Sequence, residues 1–540
     1  MRPAWGWTPL WAVILVAPVL ATPVLAAPVL SAPVLAQRPL AEVSSAQLGT
    51  DERVIGAAQL DFDGDGVPDL AVVGRGESKA RRFVTLFRGA TRSLTRGTTV
   101  ELPPDITAWS VGDLHADAGD EVLLFTARGA YAWRPAAEGS ERFTRLVEAE
   151  FLWQLPEAED VILWEAGVRD LDRDGLDDLV LPRARGYSIA IQRRGDEGAR
   201  FDVSDVAVPL DPLSGGTWIS ASAEDSGWRG ARSENELSLT LSVGAGVDEE
   251  GALPSTLLHV RESVPAPQLV DWDADGDLDL LVQTSSELHV WRQAPGGSFA
   301  SAPDQSLPLP VIADRKRRLD PSYSSHVLDL SGDGRADCAI VAGDQRADSV
   351  RTQGQFFVHD PASPEEPLFK DKGKPQDLLI FAGFVADVDL QDVDSDGLPD
   401  LVVASVRPDL LDQLRSVSSE SLDSDLHVYL NQGGRFSRRP ELAHRLNIKL
   451  RQFDLTARFL GDVTGDGTSE LLVRDRPESL RLLMVRPDRR GTGLSVIKQP
   501  LWQLDLEEHA GIRIERRHGA DSAADVLVLE TRQVLRVRFP

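Results

Sequence analysis

Asp61-Phe62-Asp63-Gly64-Asp65-Gly66-Val67-Pro68-Asp69-Leu70-Ala71-Val72-Val73 is an acidic loop that runs directly into an aliphatic stretch. With Asp61 as position 1, the carboxylates Asp61, Asp63, Asp65 and Asp69 stand at positions 1, 3, 5 and 9, and Gly66 at position 6. A glycine there permits positive φ and a turn sharp enough to converge the carboxylates, which is the donor chemistry of a hard cation. Full sets recur as Asp170, Asp172, Asp174 and Asp178 around Gly175, as Asp271, Asp273, Asp275 and Asp279 around Gly276, and as Asp392, Asp394, Asp396 and Asp400 around Gly397. Two copies vary conservatively: Asp329, Ser331, Asp333 and Asp337 around Gly334, and Asp462, Thr464, Asp466 and Glu470 around Gly467. Both are expected to bind, more weakly. A copy at Asp113 has His115 at position 3, Ala118 in place of glycine and Glu121 at position 9, so the turn is expected there without a tight ion.

The seven first positions are separated by 52, 57, 101, 58, 63 and 70 residues, a period that implies a stacked or circular array of one small unit. An eroded eighth copy is legible in Asp521-Ser-Ala-Ala-Asp525-Val-Leu-Val. Placing Asp525 at position 9 puts position 1 at Arg517, 55 residues after Asp462, and no ion is expected there. In the well-formed loops, four oxygen-bearing side chains, a carbonyl near position 7 and a water give about six or seven oxygens, which suits calcium better than the strict octahedron of magnesium. About five or six calcium ions are expected on this count. An EF-hand loop would end in a bidentate Glu at position 12 and enter a helix. Here position 12 is Val72, Leu181, Val282, Ile340, Val403 or Val473, each within an aliphatic run of strand length. Thrombospondin-like calcium repeats carry paired cysteines, and this chain has only Cys338.

These loops, together with Val54-Ile-Gly-Ala-Ala-Gln-Leu60 ahead of the first of them, resemble the FG-GAP/VCBS repeats found in the β-propeller of integrin α subunits. The resemblance runs from about residue 50 to the C-terminus, although most copies lack a full FG and GAP pair. It implies a four-stranded propeller blade per repeat, with calcium in the loop between the first two strands. The residues agree independently. Leu426–Leu430, then Asn431-Gln-Gly-Gly434, then Arg435–Ser437 reads as a hairpin, and Leu288–Trp291 with Pro295–Phe299 and Tyr187–Ile191 with Gly195–Phe201 repeat it. A four-stranded meander is left with unsatisfied edges and an unsatisfied face, which radial repetition buries, so the expected fold is an all-β propeller of seven or eight four-stranded blades.

Two insertions break the period. Residues 213–265 read as a long hairpin, since Glu236–Val243 alternates cleanly, with a cryptic extra blade as the other option. Residues 408–422 open with helical apolar spacing over Pro408–Val417. Insertions in a propeller map to loops on one face, and such loops carry binding. Residues 1–36 read as an export signal, with Arg2 before an apolar stretch and cleavage after about residue 26 or 36; the propeller then occupies 37–540. No lipobox-type cysteine follows that stretch.

A net charge of -28 argues against nucleic acid and anionic membranes as partners, and 22 of the carboxylates are ligand candidates of the six well-formed loops. With one cysteine the chain forms no internal disulfide, leaving calcium to supply the stapling. Cys338, in the strand after an acidic loop, reads as a buried inert thiol. There is no His-Glu-x-x-His, Gly-x-Ser-x-Gly, Cys-x-x-Cys or phosphate-binding glycine loop, and His289 and His427 are isolated in strands. Arg194-Gly195-Asp196, an integrin-recognition tripeptide by sequence, is read as a chance turn in an arginine-rich chain. The expectation is a monomeric, non-enzymatic calcium-binding propeller acting in adhesion or binding to extracellular protein or glycan, secreted, periplasmic or on the outer surface of a bacterium. The alternative is a polysaccharide lyase on a similar eight-bladed, calcium-loaded scaffold.

Overall fold

Each acidic loop joins the first two strands of a four-stranded antiparallel meander, and eight such meanders are found among the described residues, the second extended by Ile162–Leu163, which pairs parallel with Ile106–Gly112. The computed structural model describes residues 40–539, apart from 134–142, 149–160, 194–199, 210–236, 244–257, 310–322, 360–367, 407–420, 450–456, 517–523 and several connections of four residues or fewer. The expected signal segment, the 408–417 helix and the Arg194-Gly195-Asp196 turn lie outside the described residues, as do His115, Ala118 and Arg517. Among the described residues there is no α-helix, and none long and apolar enough to cross a membrane.

Blades 1 to 7 occupy residues 53–101, 106–148, 168–207, 268–308, 323–382, 384–449 and 457–505. Blade 8 takes three strands, Gly511–Arg516, Ala524–Leu529 and Gln533–Arg538, from the C-terminal end of the chain. Its fourth strand is Glu42–Gln47, which pairs antiparallel with Gln533–Arg538. The two ends of the propeller are thereby locked in one sheet, and the blade count resolves to eight.

The aliphatic runs after the loops are continuous because both sheet faces are covered. In Asp69–Arg75, Leu70 and Val72 pack with Leu527 and Val534 of blade 8, while Ala71 and Val73 pack with Trp109, Val122 and Trp133 of blade 2. Eight buried clusters of this kind exist, each shared by two neighbouring blades, including blades 8 and 1. Cys338 belongs to the blade 4/5 cluster and is fully buried, and burial pushes its thiol pKa up. Fourth strands such as Ser93–Glu101 and Arg200–Ala207 are exposed along most of their length and form the outer rim, which leaves the first strands around the axis.

Of the three predicted hairpins, the one that starts at Tyr187–Ile191 joins third and fourth strands, and the other two differ. Asn431 and Phe436 form only an isolated bridge, and the fourth strand of blade 6 is Leu442–Lys449 rather than Arg435–Ser437. Likewise Gln293–Ala294 and Ser298–Phe299 make a small separate hairpin before the true fourth strand, Gln305–Pro308. Within the 213–265 insertion, Leu237–Val243 pairs antiparallel with Leu258–Val264, a two-stranded hairpin and not a ninth blade. First strands run toward the acidic loops, so turns between second and third strands, and links from one blade to the next, lie at the opposite end. The 213–265 segment lies in such a link, between Arg200–Ala207 and Gln268–Val270. The second and third strands of blade 6, Asp400–Val406 and Ser421–Tyr429, flank residues 407–420 at that end. The strand ends that flank the two insertions therefore lie at the same end of the propeller.

Candidate metal centres

Position 6 adopts the predicted left-handed backbone in all six well-formed loops, with φ of 78° at Gly66, 87° at Gly175, 103° at Gly276, 86° at Gly334, 88° at Gly397 and 85° at Gly467. Position 4 does so too, which the sequence reading missed. Gly64, Gly332 and Gly465 occupy it in three loops, and Arg173, Ala274 and Ser395 hold φ of 55°, 63° and 60° in the others. The double reversal turns the position-1 carboxylate inward. Asp392 Oδ1 accepts the N–H of Asp396 at 3.1 Å and its Oδ2 the N–H of Gly397 at 2.9 Å, and Asp61 repeats this with Asp65 and Gly66.

Position 9 is the anchor. Asp178 Oδ2 accepts the Leu171 N–H at 2.8 Å and its Oδ1 the Gln192 N–H at 2.7 Å, fastening the loop to the end of the third strand. Asp279, Asp337 and Asp400 do the same with Gln293, His359 and Asn431, and Asp69 with Gly89. These carboxylates are buried. Burial, reinforced by neighbouring carboxylates and opposed by the two N–H donors, pushes Asp178 and Asp400 up to about 7, and Asp69 and Asp279 up to about 6.

Five groups bring three carboxylates within 4.8 Å of one another: Asp61, Asp63 and Asp69; Asp170, Asp172 and Asp178; Asp271, Asp273 and Asp279; Asp392, Asp394 and Asp400; and Asp462, Asp466 and Glu470. Each could hold a metal ion. In the four all-aspartate loops the converging residues are positions 1, 3 and 9. Position 5 instead caps the turn: Asp65, Asp174, Asp275 and Asp396 each accept the N–H two residues on, at 2.8, 2.9, 3.0 and 2.8 Å. In the loop of Asp329, Ser331, Asp333 and Asp337 no such group forms; Asp329 Oδ1 accepts the N–H groups of Ser331 and Gly332 at 3.1 and 2.7 Å. Thr464, a non-carboxylate at position 3, donates its hydroxyl to Glu470 at 2.9 Å.

The residues fit a cation on one further observation. Asp63, Asp172, Asp273 and Asp394 at position 3, and Asp170 and Asp271 at position 1, each have a buried Oδ1 that meets no hydrogen-bond donor. An uncompensated anionic oxygen in such a setting costs several kcal/mol, of order 1–3 even for a neutral acceptor, so the arrangement is that of a ligand set rather than of solvated turns.

Neighbouring loops are stitched together at position 8. The Asp120 N–H donates to Asp61 O at 2.7 Å while Asp120 Oδ2 accepts the Asp61 N–H at 2.6 Å. Asp177 and Asp113 repeat the exchange at 3.0 and 2.9 Å, and Leu278 and Ser469 donate to Leu171 O and Val393 O. Pro399 has no N–H at this position, and there Asn431 Nδ2 bridges Leu330 O and Pro399 O at 2.8 and 3.0 Å.

The eight sheets, closed by a shared terminal blade and carrying acidic loops between first and second strands, define an eight-bladed β-propeller. Within it, residues 271–340, which span the acidic loop of blade 4 and that of blade 5, match the model of the FG-GAP-like repeat. No curated protein matches the chain. Among solved structures it is similar to an Agrocybe aegerita lectin described as recognising non-reducing terminal N-acetylglucosamine, with 15% identity, coverage of 84% of this chain and 93% of that one, and a TM-score of 0.35. It is similar also to the exo-type rhamnogalacturonan lyase YesX, with 12% identity, coverage of 92% and 75%, and a TM-score of 0.39. A Bacillus licheniformis rhamnogalacturonan lyase gives 11% identity, coverage of 93% and 74%, and a TM-score of 0.36. Likeness at this level carries no functional information.

Proposed function

We propose that this chain is an exported, calcium-loaded propeller that serves as an extracellular binding module for protein or glycan, with its acidic loops as structural staples. The observation that carries the metal half is the set of buried position-1 and position-3 carboxylate oxygens that lack any donor. Oxygen-only ligands of this number suit calcium. The ion would be held by the converging residues of the five groups, and its charge offsets the repulsion among carboxylates that the fold forces together. Cys338 and His289 are buried and take no part.

Support for the binding half is topological. The strand ends that flank both insertions lie at the end of the propeller opposite the acidic loops, where neither loop geometry nor ring closure constrains added chain. A glycan array run alongside a polysaccharide-cleavage screen tests the reading: retention of a ligand without depolymerisation is expected, and cleavage would replace the binding module by a lyase. Exchanging residues 213–265 and 408–422 for short Gly-Ser turns should abolish attachment while leaving calcium-dependent melting intact. Full binding by the double deletion would move the ligand surface elsewhere.

A further inference from the structure

Three of the four all-aspartate loops carry a guanidinium on the outer oxygen of their position-3 carboxylate. Arg193 Nη1 lies 2.6 Å from Asp172 Oδ2, Arg88 Nε 2.8 Å from Asp63 Oδ2, and Arg292 Nη1 3.5 Å from Asp273 Oδ2. All three arginines sit where the third strand ends, next to the residue whose N–H anchors position 9: Gln192 precedes Arg193, Gly89 follows Arg88 and Gln293 follows Arg292. The fourth loop differs. Leu430 and Gln432 flank its anchoring Asn431, and among the described residues no cation pairs with Asp392, Asp394, Asp396 or Asp400.

We propose that these arginines set a graded order of metal loading, in which the Asp392 loop is the tight site and the loops at Asp61, Asp170 and Asp271 are weaker. The inference rests on the metal-binding reading above. In each guanidinium-bearing loop the paired Oδ2 points to arginine while Oδ1 is buried without a donor, so the same carboxylate serves both cations. A fixed positive charge one carboxylate away repels an incoming divalent ion and withdraws the charge density that would bind it. Arg193 is the most firmly held of the three. It also donates to Asp202 Oδ2 at 3.2 Å and to Gly296 O in blade 4, so it does not swing away cheaply. The Asp392 loop has only carboxylates to offset, since among the described residues no guanidinium lies beside Asp394.

Calcium titration of the chelated full chain by calorimetry, with terbium luminescence as a second readout, tests the order. At least two affinity classes are expected. Arg193→Gln should move one site from the weak class toward the tight one by about tenfold, the scale on which one neighbouring charge shifts cation affinity at a carboxylate. Gln432→Arg, at an exposed position one residue after the anchor, should move the Asp392 site about tenfold the other way. Arg292→Gln repeats the gain at a more exposed arginine, should Arg193→Gln fail to fold. Calcium binding in a single class that none of the three substitutions alters would overturn the graded order while leaving the metal reading standing. Absence of any calcium binding would overturn both.

Discussion

In blade 6 the position-9 carboxylate Asp400 converges with Asp392 and Asp394, and no cation is paired with any of them among the described residues. In blade 8 the equivalent carboxylate, Asp525, is fully buried, with the Arg538 guanidinium at 3.2 Å and the Gln59 side-chain amide at 3.0 Å. Nearby, Arg513 Nε lies 3.1 Å from Glu515, which also accepts the Gln59 N–H, and Arg513 reaches Ala57 O in blade 1. Arg536, also buried, reaches across to Pro68 O and Ala90 O. One blade concentrates carboxylates that could hold a metal ion; the other neutralises its carboxylate with arginines that are permanently present. The division follows from topology. Blade 8 joins the two ends of the propeller, and a clasp built on arginine holds at any calcium level, whereas the internal blades are tethered by sequence to both neighbours.

The largest effect expected from this contrast is that of metal removal. Each site filled to about a hundred times its dissociation constant adds about 2.7 kcal/mol, so several sites together should raise the melting temperature by many degrees over that in chelator. Hydrogen exchange should show the protection lost in blades 1, 3, 4 and 6 first and in blade 8 last. A melting temperature indifferent to chelator would end the contrast, since the interblade clusters alone would then carry the ring.

Next in size is Arg538→Ala. Removing the guanidinium leaves a buried carboxylate without its cation, with the Gln59 amide still in place, which costs about 3 kcal/mol in comparable buried pairs. The loss should be the same in calcium and in chelator, as denaturant unfolding under both conditions would report. A loss seen only in chelator would mean that blade 8 also depends on metal.

The pH response should change sign with metal. Burial holds Asp178 and Asp400 up at about 7 and Asp69 and Asp279 at about 6, above their ordinary value of 3.8. A carboxylate whose folded pKa is raised contributes stability that is complete below the unfolded value and is lost as pH rises through the folded one. The metal-free protein should therefore lose stability between about pH 4 and pH 7. The calcium-loaded protein should gain over the same window, because protons compete with the ion for the same oxygens. Thermal melts of both forms across that range would test this, and parallel slopes would show that the position-9 carboxylates are not part of the ligand set.

Much of the fold was legible because one signal recurs with its consequences attached. An acidic turn followed by an aliphatic run specifies a loop and then a strand with both faces covered, and the period of the loops implies the ring. What pairs with the loops from a distance was not legible. The residues that anchor position 9 follow it by 20, 14, 14, 22 and 31 positions, at Gly89, Gln192, Gln293, His359 and Asn431, because third-strand placement depends on turn length. No fixed spacing marks them, and the arginines beside them are lost in an arginine-rich chain. The terminal clasp escaped for a similar reason: Glu42–Gln47 carries no loop of its own and declares its role only through its pairing with Gln533–Arg538. Position 4 could have been found, since Gly64, Gly332 and Gly465 recur there, but the three loops with Arg173, Ala274 and Ser395 hide the pattern.

That hidden position supplies the smallest prediction. In the Asp392 loop, Ser395 holds φ of 60° and Gly397 φ of 88°, two left-handed residues within one turn. A Cβ added at Gly397 would meet nothing within 4 Å, so the need for glycine there is conformational and not steric. Gly397→Ala should cost about 1–2 kcal/mol, the penalty an L-residue carries in this region. Ser395→Gly relieves the same strain but loosens the unfolded chain, so its net gain should be under about 1 kcal/mol. Because the loop must be ordered to bind, both changes should also appear in calcium affinity at this site, Gly397→Ala weakening it and Ser395→Gly leaving it near the original value. Equal effects from the two substitutions would mean that the turn is set by the ion rather than prepared for it. In that case the position-9 anchor that blade 6 shares with blades 1, 3, 4 and 5 would hold the loop in place without fixing its turn.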